Sequence, residues 1–252
     1  MMTDNQQDEQ EADVRLSAEN FVEELTRYKS DKQYDKVEKF FKGNDGVTKA
    51  FGVKFDDIFT TAKAFAQMSL EEIEKLLESD FYEVRMGAVS IMDFQAKYRR
   101  ATEEQKKGLF DLYLRRHDRI NNWDLVDRGA VSIIGAYLIG KPKDILYTFA
   151  TSENMWERRT SIVSTHAFIK NGSTDDTFKI AEILMNDKQE LIDKAVGSWI
   201  REAGKKHRDK LIAFLDKHAI TMPRVTLRYA VEQFDKDEKE YYVNLKKESM
   251  KA

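Results

Sequence analysis

Residues 189–206 read QELIDKAVGSWIREAGKK, and the spacing of their side chains decides the fold class. Ile192, Val196, Trp199 and Ala203 stand at i, i+4, i+7 and i+11, the interval at which an α-helix returns to one face. The spacing therefore predicts a helix starting near Gln189 with an apolar stripe. Lys194, Ser198, Arg201 and Lys205 repeat the same interval on another side, which makes that side basic. Such a helix buries one face only, so it needs a neighbour.

Outward from this stretch the same unit recurs in both directions. Trp156, Thr160, Val163 and Ala167 form a second stripe at the same spacing. Periodicity and polar turns place helix starts near Ala18, Asp31, Phe55, Leu70, Phe81, Glu103, Asn122, Pro142, Glu153, Thr174, Gln189, Arg208, Pro223 and Lys236. Capping chemistry marks several of them: Ser69 precedes Leu-Glu-Glu, Thr102 precedes Glu-Glu-Gln, and Ser152 precedes Glu-Asn-Met. With only Pro142 and Pro223 and 11 glycines, little interrupts the helices. Antiparallel pairs stacked side by side cover every stripe without long crossovers. The reading is all-α: a HEAT-like α–α superhelix, a solenoid of antiparallel helix pairs, in which no residue motif recurs literally. We expect a single domain over 16–248, preceded by a disordered acidic tail over 1–15. Residues 42–54, FKGNDGVTKAFGV, form the longest irregular stretch of the body, and their glycines suit either a backbone approach to a ligand or a plain interhelical loop.

Composition narrows the function classes. The absence of cysteine excludes a disulfide framework, a thiolate nucleophile and cysteine-bound zinc, and makes a cytoplasmic location the simplest expectation. The N-terminal stretch MMTDNQQDEQEADVR has neither the basic start nor the apolar run of a signal peptide, and no apolar run is long enough to predict a membrane span. A formal charge of −3 argues at first against a polyanionic partner. Residues 1–14, however, contribute Asp4, Asp8, Glu9, Glu11 and Asp13 and no basic residue, so the rest of the chain is net positive.

His117, His166, His207 and His218 stand at no metal-ligand spacing, and neither HExxH nor an EF-hand loop occurs, so no metal is expected. Phosphate-cradling GxxxxGK[ST], GxGxxG and the nucleophile motif GxSxG are absent. One segment stands apart. In INNWDLVD (120–127), Trp123 and Asp127 lie four residues apart, on one face of the helix expected near Asn122. An indole beside a carboxylate suits a cationic substrate, through the ring quadrupole and direct charge attraction. The plainer alternative makes Trp123 core and Asp124 or Asp127 a helix-start charge. Basic residues gather over 194–210, in the pair Arg158 and Arg159, and in the pair Arg224 and Arg228. Aligned on one side of a solenoid they would track a nucleic-acid backbone; the alternative is a solvated face.

The segments INNWDLVDRGAVSIIGAYLIGK (120–141) and SENMWERRTSIVSTHAFIKNG (152–172) closely resemble the AlkD-like DNA alkylation repair family of DNA glycosylases. The resemblance continues through DKAVGSWIREAGKK (193–206) and FLDKHAITMPRVTLRYAVEQF (214–234) and covers roughly residues 20–243. It implies a HEAT-like solenoid whose concave basic face holds duplex DNA, and an activity that hydrolyses the N-glycosidic bond of N3- or N7-alkylated purines. It implies no metal and no organic cofactor. Asp127 matches the family's catalytic aspartate and Trp123 one of its active-site tryptophans, while Arg159 and Arg201 match basic residues facing DNA. With these, Lys194, Ser198, Lys205 and Arg228 complete the expected DNA-binding set. The family usually reads Gly-Trp where this chain reads Gly197-Ser198-Trp199, so Ser198 takes the place of a second active-site tryptophan. Trp199 lies about 100° further around the helix, on the stripe read as core. The expected partner is double-stranded DNA containing alkylated purines, bound by a monomer. The competing class is a non-catalytic HEAT-like module that binds DNA or a protein.

Overall fold

The computed structural model describes residues 16–41 and 46–249; the acidic segment read as a tail and the start of the glycine-rich stretch lie outside them. Among the described residues there are fourteen α-helices and no strand beyond one bridge between Lys49 and Phe81. Every helix starts within two residues of the position that spacing predicts. No helix among the described residues is long and apolar enough to cross a membrane. Contacts divide the chain into two compact units between Ile133 and Ile134.

The first unit holds α1 (Ala18–Thr26), α2 (Asp31–Phe40), α3 (Phe55–Ala64), α4 (Leu70–Leu77), α5 (Tyr82–Ala96), α6 (Glu103–Arg115) and α7 (Trp123–Gly129). Sequence chemistry sets these starts. Ser69 Oγ accepts the Glu72 N–H at the head of α4, and Thr102 and Gln105 close a reciprocal capping box on α6. Helix α5 is buried on all sides from Tyr82 to Asp93 and packs against α3, α4, α6 and α7, while α1 covers α3 and α4. A helix surrounded in this way has no polar face to give away, so its charged residues must find partners inside the protein.

Two of them organise the irregular stretch. Glu83, fully buried, accepts the N–H groups of Phe51 (3.0 Å), Gly52 (2.8 Å) and Val53 (3.2 Å). Arg85 donates to the Ser79 carbonyl (2.7 Å), Thr48 Oγ1 (2.9 Å) and Asn121 Oδ1 (3.2 Å). Gly52 has φ +81°, and a β-carbon there would meet the Ser30 carbonyl at 2.4 Å. The close backbone approach that glycine permits is thus to the chain's own turn before α2.

The second unit holds α8 (Asp144–Ala150), α9 (Met155–Lys170), α10 (Asp175–Leu184), α11 (Glu190–Gly204), α12 (Arg208–His218), α13 (Arg224–Ala230) and α14 (Lys236–Ser249). Helices α9, α11 and α13 form a row, each packed on the next; α8 and α10 run beside it, α12 lies on α11 and α14 on α13. Short connections reverse the chain between neighbours, so each unit is a stack of antiparallel helices, the α–α repeat architecture that the stripes predicted. Trp156, Thr160, Val163 and Ala167 are all buried on α9.

Two local expectations need correction. The cap of α9 is Asn154, whose Oδ1 accepts the Trp156 N–H at 2.9 Å, because Ser152 instead closes a turn one step earlier by accepting the Asn154 N–H at 3.0 Å. On α11, Ile192, Val196 and Ala203 are core as expected, together with Ala195 and Ile200, but Trp199 is only partly buried. The reason lies at Gly197, where a β-carbon would fall 2.6 Å from the Thr226 carbonyl and 2.6 Å from Tyr229 Cβ. Backbone contact with α13 lies on that side, and Trp199 is on the side of α9, where its ring is tilted by 35° against His166 with centroids 4.5 Å apart.

Candidate functional site

Helix α7 is seven residues long, too short to be stable alone, and tertiary contacts fix it. At its start the buried Asn122 donates 2.7 Å to Asp124 Oδ1, which also accepts the Leu125 N–H at 2.8 Å. The Tyr82 hydroxyl of α5 donates to the other oxygen of Asp124. Burial pushes the Asp124 carboxyl up to about 6, with the hydrogen bonds from Tyr82 and Asn122 pulling the other way. The same burial, and then the charge of Asp124, drive the Tyr82 hydroxyl far above the ordinary tyrosine range. At its end Gly129 lets α7 approach closely, since a β-carbon would meet Tyr113 at 2.8 Å and Val89 at 2.9 Å.

This clamp buries Asp124, Leu125, Val126 and Gly129 and leaves Trp123, Asp127 and Arg128 partly exposed. Trp123 and Asp127 are one turn apart on the same edge of a fixed helix. Arg128, next in sequence, is committed elsewhere. Its Nη2 lies 3.2 Å from buried Asp93, its Nε donates 3.1 Å to Ser90 Oγ, and its guanidinium sits 4.6 and 5.0 Å from the ring centres of Phe59 and Phe94. Asp93 further accepts from Ser132 and pairs with Lys97 at 2.7 Å. Beyond Gly129 the chain continues in a π-helical segment, Ala130–Gly135, a form that recurs at functional sites. Sequence spacing offers Asp124 only as a helix-start charge; its bond to Tyr82 escapes that reading, because Tyr82 is 42 positions away in the chain.

The remaining expected residues fall in the second unit. Lys194, Ser198, Arg201 and Lys205 share one face of α11, as their spacing requires, and all are at least partly exposed. Acidic neighbours balance them. Lys194 pairs with Glu190 at 2.7 Å, Lys205 with Glu202 at 2.7 Å, and Arg201 with Glu202 at 3.3 Å and with Glu232. Arg159, only 7% exposed, donates 2.7 Å to the Leu191 carbonyl of α11. Arg158 pairs with Asp187 and caps the carbonyls of Ser152 and Glu153. Arg228 on α13 is exposed, and no described acid lies within ion-pair distance of it. Among the described residues no three His, Asp or Glu side chains group as metal ligands.

Comparison with known proteins gives the site a context. The model of the family described as DNA alkylation repair enzyme matches residues 21–234, most of the chain. No curated protein matches the sequence. Among solved structures, a protein of Enterococcus faecalis described as a predicted DNA alkylation repair enzyme superposes with a TM-score of 0.66 at 16% identity, over 82% of this chain and 97% of that one. At that identity the likeness speaks for the fold.

Proposed function

Since this chain belongs to the DNA alkylation repair enzyme family, we propose that it binds duplex DNA and hydrolyses the N-glycosidic bond of purines carrying an alkyl group at N3 or N7. The observation that carries this reading is the presentation of Trp123 and Asp127, side by side and partly exposed, on a helix otherwise locked into the core. Alkylation at these positions makes the purine cationic and a good leaving group. What the protein must add is stabilisation of the positive charge that develops on the sugar as the bond breaks, and access for water. Asp127 supplies the negative charge. A carboxylate at about 4 Å in an effective dielectric near 20 offers on the order of 4 kcal/mol, roughly a thousandfold in rate if realised only in the transition state. The indole of Trp123 adds about 1 kcal/mol through its π face.

Lys194, Arg201, Lys205 and Arg228 are assigned to phosphates and Ser198 to the DNA surface between them. Arg159, tethered to α11, is assigned to the positive field of that surface. Asp127→Asn keeps the shape and removes the charge. It is expected to lose release of 7-methylguanine from methylated duplex by about a thousandfold while duplex affinity stays within a few-fold. Equal excision by the two proteins sinks the assignment. A second reading, a DNA-binding module without catalysis, is favoured by Ser198 standing where the family has a tryptophan. It is the conclusion if the parent protein binds methylated duplex and releases no base.

A further inference from the structure

We propose that Asp93 is a positioning residue for base excision: through Arg128 and Ser132 its buried carboxylate fixes the rotation of α7 about its own axis, and with it the direction of Asp127. The inference rests on the glycosylase reading above and deepens it within the first unit.

Three observations carry it. First, Asp93 of α5, 1% exposed, holds both sides of the junction at which α7 ends and the π-helical segment begins. Arg128 Nη2, in the last turn of α7, lies 3.2 Å from Asp93 Oδ2, and Ser132 Oγ, in the π-helical segment, donates to Oδ1. A π-helical turn is a rare form, so side chains that grip it from outside decide where it sits. Second, the grip from Arg128 is forked. Its Nε donates 3.1 Å to Ser90 Oγ while Nη2 meets Asp93, further along α5, and its guanidinium lies 4.6 and 5.0 Å from the ring centres of Phe59 and Phe94. A single contact would fix a distance; a planar group bonded to separate partners fixes an angle as well. Third, Asp127 stands between two anchors on the same neighbour. Asp124 before it is held by Tyr82 of α5, and Arg128 follows it directly. A helix pinned at two points on one neighbour cannot turn, so the edge that carries Trp123 and Asp127 keeps one direction.

Packing alone does not call for this arrangement. Apolar side chains of similar volume in place of a buried ion pair are often neutral or stabilising, so what the network adds is a single geometry. Geometry is what the proposed reaction needs, since a displacement of about 1 Å at the reacting groups costs on the order of a hundredfold in rate. Lys97 supplies the internal comparison. It pairs with the same carboxylate at 2.7 Å, but from the residue just after α5 and with a side chain 60% exposed, so that bond ties α5 to its own end and not to α7.

The test uses the full chain with Asp93→Asn, Arg128→Lys or Lys97→Met. Single-turnover release of 7-methylguanine from methylated duplex is measured with protein in excess, beside duplex affinity by fluorescence anisotropy and folding by urea titration. Asp93→Asn is expected to slow release by about ten- to a hundredfold while affinity stays within about twofold. Arg128→Lys keeps the charge and loses the fork, so it should slow release by at least about fivefold, and it decides the matter if Asp93→Asn does not fold. Lys97→Met should release base within about twofold of the parent's rate. Amide exchange in deuterated solvent reads the anchor without any chemistry: in Asp93→Asn and Arg128→Lys the amides of residues 126–132 should exchange at least about tenfold faster, and those of α4 at the parent's rate. Release by the folded variants within about twofold of the parent's, or an equal loss in Lys97→Met, reduces Asp93 to a stabilising ion pair and overturns the proposal. A parent that releases no base removes the excision reading, and the exchange comparison then still judges the anchor: unchanged exchange over 126–132 overturns it.

Discussion

Gly197→Ala puts one methyl group into the close contact between α11 and α13, and the structure decides its sign. In an open helix the change would help, because alanine is favoured over glycine by about 1 kcal/mol. Here the added β-carbon would stand 2.6 Å from the Thr226 carbonyl, 2.6 Å from Tyr229 Cβ and 3.1 Å from Thr226 Cα. Ordinary contact between such atoms is roughly 3.5 to 4.0 Å, so α13 must retreat by about 1 Å. The atoms met are backbone and Cβ, with no flexible tip to swing aside. The retreat also stretches the bond from Thr226 Oγ1 to the Asp193 carbonyl, already 3.2 Å. Overpacking of this kind costs about 1–3 kcal/mol and more where the neighbour is rigid. We therefore expect a net loss of about 1–3 kcal/mol after the propensity gain. Urea unfolding followed by circular dichroism measures it, with Ser198→Ala on the same helix as a control expected within about 0.5 kcal/mol of the parent. A midpoint for Gly197→Ala equal to or above the parent's would mean that α11 and α13 do not meet backbone to backbone.

Two further outcomes follow from charges. Burial raises the Asp124 carboxyl from the ordinary aspartate value of 3.8 to about 6 in the folded protein. Because the folded value is raised, its proton stabilises the folded state at low pH, and that contribution is lost as pH climbs from about 4 to about 6, by an amount on the order of 3 kcal/mol. Relative to Asp124→Asn, the parent should lose stability across that window in urea titrations, and parallel curves would refute the buried clamp. Glu232→Gln removes one acid from Arg201, and exposed pairs of this kind are worth at most about 1 kcal/mol. Duplex affinity by fluorescence anisotropy should therefore rise by up to about fivefold, with a steeper salt dependence; weaker binding would show that Glu232 holds Arg201 in place for DNA.

What the sequence disclosed and what it hid divide along a physical line. Helix starts and stripes depend on residues three or four apart, so Ser69, Thr102 and the Trp156 stripe could be read directly. The basic face of α11 and the Trp123 and Asp127 edge were legible for the same reason. Buried charge was not. No local spacing marks Glu83, Arg85 and Asp93 as enclosed, because they bond to Gly52, Thr48 and Ser132, each 30 or more positions away. Asp124 and Asp127 look alike in sequence, and the first is set apart by burial and by hydrogen bonds from Tyr82, Asn122 and the Leu125 N–H. Likewise one acid opposing Arg201, Glu232, comes from the turn after α13, and the close approach of the α13 backbone to Gly197 is something no spacing reveals.

The Glu83 carboxylate has a consequence for motion. By holding three successive amides of a non-helical stretch at 2.8 to 3.2 Å, it gives that loop the tether a strand would get from a partner strand. In deuterated solvent those amide protons should be retained as long as those in the middle of α5, since releasing any of them requires uncovering a buried anion. An apparently irregular connection is thereby made part of the slowest-opening element of its unit.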